Sequence, residues 1–159
     1  MKNVVSFLRE SNAIEGIFDD EALLHAKISW NFLSRFKHID AAAINFAHLC
    51  LMQPFDLESK YKGAFRREPV WIGGHEGKPW YVVPELIDQW CRVANRKPRT
   101  EGEIISDHVF FENVHPYIDG NGRIGRMLYN WERLRNGFDL QVIKNKDKSH
   151  YYSWFERDI

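Results

Sequence analysis

The chain has 159 residues, 44% of them apolar and 14% aromatic. That is enough to bury a core as one domain, and it excludes an intrinsically disordered chain. Lys and Arg number 22 and Asp and Glu also 22, for a formal net charge of zero, so bulk electrostatics exclude a polyanion binder and no nucleic-acid partner is expected.

Two cysteines, Cys50 and Cys91, are too few for a disulfide framework and have no metal-type spacing. They read as reduced thiols in a cytoplasmic protein. The N-terminal residues hold no long apolar core and no signal-type cleavage site. The longest apolar-rich run, 41–52, is interrupted by Asn45 and His48 and is too short to span a bilayer, so no membrane association is expected.

Val4, Val5 and Leu8 predict a short helix over 3–12. Ser11 and Glu15 are four apart, on one face if that helix continues, and Gly16 suits its C-terminal end. Read alone, this is a surface helix with Glu15 in water. Asp19-Asp20-Glu21 starts a second helix, with acidic residues in its first turn, running to about Phe36. Asp40 caps a third, Ala41 to Met52, whose composition suggests a central helix of a bundle, and Pro54 ends it.

The glycines and prolines between 63 and 84 exclude a helix there. Val70-Trp71-Ile72 and Trp80-Tyr81-Val82-Val83 are β-prone runs, and Gly73-Gly74-His75-Glu76-Gly77 reads as the hairpin connection between them. In a helical protein such a hairpin is either decoration or a clamp, and its free edge could take an extended peptide by strand addition. Pro84 opens the next helix, to about Asn95. Another begins at Thr100 or Glu101 and delivers His115 near its C-terminus, because Pro116 disfavours helical geometry at the residue before it. Ile124, Met127, Leu128, Trp131 and Leu134 then form one stripe, and Asn136-Gly137 is a stop. Residues 138–159 hold a short 140–143 piece, a Lys-rich turn and a last helical turn or two.

The stretch His115-Pro-Tyr-Ile-Asp119-Gly-Asn-Gly-Arg123-Ile-Gly-Arg126 does not look like a core element. Its Gly120–Gly125 segment matches G-x-G-x-x-G, but the dinucleotide fingerprint needs a preceding strand and a βαβ unit, and the surroundings read as helical. Glu112-x-x-His115 with His108 puts three metal-capable groups on one helix face. Carboxylate di-metal bundles use two such motifs, and one is present, so His108 reads as a structural histidine. A purely structural turn is disfavoured by two arginines at a helix N-terminus, where the dipole disfavours cations and something anionic should compensate. A phosphate loop fits all the pieces. The N–H groups of Gly120, Asn121 and Gly122 hold one phosphate, and Arg123 and Arg126 hold others. Asp119 acts through Mg²⁺. His115 is the residue of this group able to take a proton near neutral pH. The implied reaction is transfer from a nucleotide to an acceptor hydroxyl.

These residues resemble the signature H-P-F-x-[DE]-G-N-G-R-x-x-R of Fic domains, complete except for Tyr117 in place of Phe. The resemblance extends from about residue 7 onward and implies a mainly α fold, a Fic-like helical bundle with a β-hairpin flap, as a single domain over 1–159. It implies transfer of AMP from ATP to a hydroxyl of an unidentified target protein. His115 would be the general base, Asp119 the Mg²⁺ ligand and Gly120-Asn121-Gly122 the anion hole of the 115–126 segment. Arg123 would contact the phosphates, Arg126 the γ-phosphate, and Tyr151 or Tyr152 would line the nucleotide pocket. The 65–84 hairpin would be the flap, with Val70, Trp71, Ile72 and His75 facing the target. Ser11 to Gly16 also resembles the family's inhibitory pattern [ST]-x-x-x-E-[GN]. That makes residues 1–17 an inhibitory helix in which Glu15 competes with the γ-phosphate for Arg126. Two alternatives stand beside this: a deAMPylase that depends on Glu15, and a non-catalytic nucleotide-binding module.

Overall fold

The computed structural model describes residues 3–158. Residues 1 and 2 of the expected inhibitory segment, and Ile159 of the expected domain, lie outside the described residues. Among the described residues the helices are α1 (Val4–Ile14), α2 (Asp20–Leu33), α3 (Ala41–Met52), α4 (Val83–Ala94), α5 (Glu101–Val114), α6 (Asn121–Arg135) and the short α7 (Lys148–Tyr152). One hairpin, β1 (Trp71–Ile72) and β2 (His75–Glu76), lies between α3 and α4. The architecture is therefore mainly α with a two-stranded antiparallel hairpin. No described helix is long and apolar enough to cross a membrane.

Local chemistry explains most of the boundaries. Asp19 caps α2 by accepting from the Ala22 N–H, and Asp40 caps α3 by accepting from the Ala43 N–H at 2.8 Å. Each satisfies one of the four N–H groups that a helix start leaves unpaired. Thr100 and Glu103 form a capping box on α5. Gly16, at φ +73°, takes the left-handed position just past α1.

Residues 123–132 of α6 are all buried. Ile124, Met127, Leu128 and Trp131 enter a core shared with Phe7 and Leu8 of α1, Trp30 of α2, Leu51 of α3, Trp90 of α4 and Phe111 of α5. Tyr129 points the other way, into a smaller cluster with Ile14, Ile104, Ile143 and Tyr151. Ala43, Ile44, Ala47, Leu51 and Met52 of α3 enter the same core, as its composition suggests, so α3 and α6 are both central. Leu134, expected in the α6 stripe, is exposed, and α2 ends at Leu33, three residues before Phe36.

The hairpin is shorter than its sequence suggests. Gly73 and Gly74 have φ of +53° and +88°, as a two-residue type I′ turn requires. The second strand therefore begins at once, pairing Ile72 with His75 and Trp71 with Glu76. Trp80–Val82, expected as that strand, is a 3₁₀ turn that leads into α4. Pro84 lies in the first helical turn, where a missing N–H costs nothing, and the helix it opens takes Val83 out of the β-prone run.

Candidate active site

His115 terminates α5 in the left-handed region, at φ +50° and ψ +65°. A non-glycine residue there stores strain of roughly 1–3 kcal/mol and persists only where its surroundings hold it. Its Nδ1 lies 3.4 Å from the carbonyl oxygen of Glu112. A carbonyl only accepts, so Nδ1 carries the proton and Nε2 keeps its lone pair. Burial lowers the imidazole pKa from its ordinary value, with Arg66 acting in the same direction. The ring is therefore neutral near pH 7 and able to accept a proton.

The loop after His115 is built from long-range contacts. His48 of α3 stacks on Tyr117 with ring centroids 3.7 Å apart. Its Nδ1 accepts from the Gly63 N–H at 2.9 Å, so its protonated Nε2 donates to the Asp119 carbonyl at 2.7 Å. Burial pushes its pKa down to about 4, which keeps that tautomer neutral. Asn121 closes the loop internally: its side chain accepts from the Tyr117 N–H and donates to the Tyr117 carbonyl, both at 2.8 Å. The Asn121 side chain is thus occupied in shaping the loop, leaving its backbone N–H as its contribution to an anion site.

At the start of α6 the Gly120 N–H donates to Asp119 Oδ1 at 2.8 Å. The N–H groups of Asn121, Gly122 and Arg123 make no hydrogen bond among the described residues, and they head a helix whose dipole favours an anion there. Asp119 is 59% exposed, with Arg123 Nη2 3.6 Å from its Oδ1. Arg123 lies over the Phe55 ring, and its Nε and Nη1 are buried without a partner.

Arg126 is 2% exposed. Its Nε donates to Ser11 Oγ at 2.8 Å, and its Nη2 donates to Ser11 O at 3.0 Å and to Glu15 Oε1 at 2.7 Å. Glu15 is therefore ion-paired rather than solvated, which the α1 pattern taken by itself does not suggest. The carboxylate also lies over Gly122: a Cβ on that glycine would overlap Glu15 Oε1 and stand 2.9 Å from Arg126 Nη1. An anionic group thus occupies the seat that the α6 N-terminus and Arg126 form.

A cleft of about 540 Å³ gathers Glu15, His115, Gly122, Arg126, Tyr151 and Tyr152 under Trp71 and Ile72 of the hairpin. Asp119, Gly120, Asn121 and Arg123 border the loop beside it. Ser11 lies beneath Arg126, and Val70 and His75 do not line the cleft. Tyr151 is fixed in the wall by donating to His108 Nε2 at 2.7 Å, while His108 Nδ1 donates to the Gly125 carbonyl at 3.1 Å. His108 is thus a structural histidine, packed on α6. Among the described residues no three His, Cys, Asp or Glu side chains gather as a metal cage. Mg²⁺ commonly takes one or two carboxylates with phosphate oxygens and water. A single exposed Asp119 beside an anion seat fits that donor set.

Two further polar groups belong to the site in roles that the sequence did not assign them. Arg66 is 1% exposed and donates to the His115 carbonyl at 2.6 Å; in the sequence it belongs to a charged loop. Glu112, met above as half of a metal motif, instead turns its carboxyl onto the backbone of Gly125. Burial there raises its pKa to about 8, against an opposing pull from Arg126.

The family pattern "Fic/DOC family" matches residues 38–132. The protein named "Protein adenylyltransferase Fic" in Drosophila ananassae is 26% identical over 163 residues, which span 95% of this chain and 32% of that protein. The chain thus spans about a third of the length of the curated relatives it matches. Among solved structures, Fic-1 (residues 134–508) from C. elegans superposes with a TM-score of 0.82 at 18% identity, covering 99% of this chain and 56% of that one. A Fic family protein from Desulfovibrio desulfuricans superposes with a TM-score of 0.78 at 20% identity, covering 99% and 57%. The matched segment holds the histidine, the glycine loop and both arginines, and it takes up more than half of the chain, which belongs to the Fic/DOC family.

Proposed function

We propose that the protein is an autoinhibited protein adenylyltransferase, transferring AMP from ATP to a hydroxyl side chain of a target protein. The name of the 26% identical relatives supports the reaction class. The observation that carries the reading is the Glu15 carboxylate paired with Arg126 at 2.7 Å above Gly122. A site that seats a carboxylate between a guanidinium and a helix N-terminus is a site for a phosphate.

In the active state, Nε2 of His115 takes the proton of the target hydroxyl. The freed oxygen attacks the α-phosphorus of ATP, forming a phosphodiester as the bond to pyrophosphate breaks. The N–H groups of Asn121 and Gly122, with Arg123 and Arg126, hold the phosphates and the charge that develops on them. Asp119 would hold Mg²⁺ against the phosphates, where the ion would neutralise charge. The exposed edge of β1 would align an extended target segment over the cleft. While Glu15 occupies Arg126, the γ-phosphate has no partner, and ATP is held out of the transfer geometry. The free cysteines Cys50 and Cys91 fit a reducing compartment, so a cytoplasmic setting belongs to this reading.

Incubation with α-labelled ATP and Mg²⁺ tests it. Wild type should label itself weakly, Glu15→Gly strongly and Glu15→Gly/His115→Ala not at all. Absence of label on the Glu15→Gly protein and on any protein of a lysate treated with it would sink the reading. One observation favours a second reading, removal of AMP: Glu15, 37% exposed, lines the same cleft as His115, where its carboxylate could orient a water. In that case Glu15→Gly abolishes release of AMP from a modified target.

A further inference from the structure

The hairpin is too short to hold its own place. Its strands have two residues each, and the further bond from the Gly77 N–H to the Val70 carbonyl at 2.8 Å stays within it. Isolated hairpins of this kind are marginal in water. The polar anchor at its base is Arg66. Nη1 donates to the Glu68 carbonyl at 3.0 Å, before β1, and Nη2 donates to the Lys78 carbonyl, after β2.

The same guanidinium reaches the end of α5. Nε donates to the His115 carbonyl at 2.6 Å and Nη2 to the Val114 carbonyl at 3.2 Å, while the Arg66 backbone N–H donates to the Pro116 carbonyl at 2.9 Å. Helix-terminal carbonyls lack intrahelical donors, and a cation suits them. The side chain makes no salt bridge among the described residues. A buried guanidinium satisfied by four carbonyl oxygens, and by no carboxylate, is tuned to the position of the main chain around it.

We propose that Arg66 is a positioning residue for the transfer reaction, which locks the height of the hairpin over the cleft to the left-handed backbone of His115. This rests on the adenylyltransferase reading above. Arg66 touches no group of the anion seat, so it sets the alignment of the acceptor hydroxyl with Nε2 and leaves nucleotide binding alone. A misplacement of about 1 Å can cost on the order of a hundredfold in rate. A lysine at this position keeps the charge and most of the volume, but its single ammonium cannot bridge the hairpin and the helix end in the same way.

The test compares Glu15→Gly with Glu15→Gly/Arg66→Lys, using three measurements. The lysine variant should exchange the Gly77 amide hydrogen about tenfold faster, as expected for loss of one or two charged hydrogen bonds. Its labelling rate with α-labelled ATP should fall about 10- to 100-fold, and its Kd for Mg-ATP should stay within about twofold, since no phosphate contact is touched. Unchanged exchange at Gly77, or undiminished labelling beside an active parent, would overturn the proposal. So would a matching loss of Mg-ATP affinity, or loss of a cooperative thermal transition, because either would make Arg66 a support of the whole fold. An inactive Glu15→Gly parent instead counts against the adenylyltransferase reading, and the exchange rate still decides whether Arg66 ties the hairpin down.

Discussion

Gly122 has no space for a side chain while Glu15 is in place. In an ordinary helix, Gly→Ala stabilises by roughly 0.5–1 kcal/mol. Here the new methyl would displace the Glu15 carboxylate and crowd Arg126 Nη1, and it would cover the N–H groups that an incoming phosphate needs. Removing Glu15 and crowding Gly122 should therefore have opposite consequences, although both break the same contact. Calorimetric titration should show Glu15→Gly/Gly122→Ala binding Mg-ATP at least about tenfold more weakly than Glu15→Gly, the scale of one lost charged hydrogen bond. Equal affinities would mean that the anion seat lies elsewhere. Ser11→Ala makes a milder case. It removes the acceptor of Arg126 Nε and leaves the Glu15 contact, so its labelling rate should fall between those of wild type and Glu15→Gly. The Glu15 relation was legible because the Ser11–Gly16 pattern is local. The bonds from Arg66 to His115 and from His48 to Asp119 were not, since they span 49 and 71 residues and nothing in the neighbouring sequence marks them.

Helix starts that carry their own caps were readable to within a residue. The α3 boundaries follow from Asp40 and the residues before Pro54. The hairpin failed the same test because two signals competed: aromatic, β-branched residues at 80–83 spoke for a strand, while Pro84 spoke for a helix start and prevailed. The character of α1 was also only half legible. It delivers Ser11 and Glu15 to Arg126, yet it also buries Phe7 against Trp30, ring centroids 5.5 Å apart, and places Leu8 in the main core. Releasing the Glu15–Arg126 contact by deleting α1 therefore differs from releasing it by Glu15→Gly. Phe7→Ala should lower the unfolding free energy by about 3–5 kcal/mol in urea titrations, whereas Glu15→Gly, which leaves the buried Arg126 its two bonds to Ser11, should lower it by about 1–3 kcal/mol. A similar argument applies where α5 meets α6. A Cβ on Gly125 would overlap the Glu112 carboxyl and stand 3.2 Å from the His108 ring, so Gly125→Ala should destabilise by about 1–3 kcal/mol instead of gaining helix propensity.

Across the whole molecule, buried ionisable groups set opposing pH dependences. Burial raises the carboxyl of Glu112 to about 8, and burial beside Asp107 raises that of Glu132 to about 11. Burial lowers His48 to about 4 and His108 to about 3. For the two carboxyls the folded pKa exceeds the unfolded value of 4.5. The native state then holds protons that the unfolded chain releases, and stability falls as pH rises above 4.5. For the two histidines the folded pKa lies below the unfolded 6.5. The unfolded chain gains protons that the native state refuses, and stability falls as pH drops below 6.5. Each group contributes a slope of up to about 1.4 kcal/mol per pH unit within its window. Between 4.5 and 6.5 the two pairs oppose one another, and the lowered His115 adds to the histidine side, so stability does not fall with rising pH in that window. Above 6.5 the carboxyls act alone, and the loss moderates once Glu112 ionises near 8. Urea midpoints should therefore be no lower at pH 6 than at pH 5 and decline at pH 7.5 and 8.5. Glu132→Gln separates the contributions: an uncharged isostere should match wild type near pH 5 and exceed it at pH 8.5. A wild-type midpoint that rises from pH 6.5 to 8.5 would mean that these carboxyls are ionised in the native state. The Glu112 carboxyl would then be a second anion facing Arg126, in competition with Glu15.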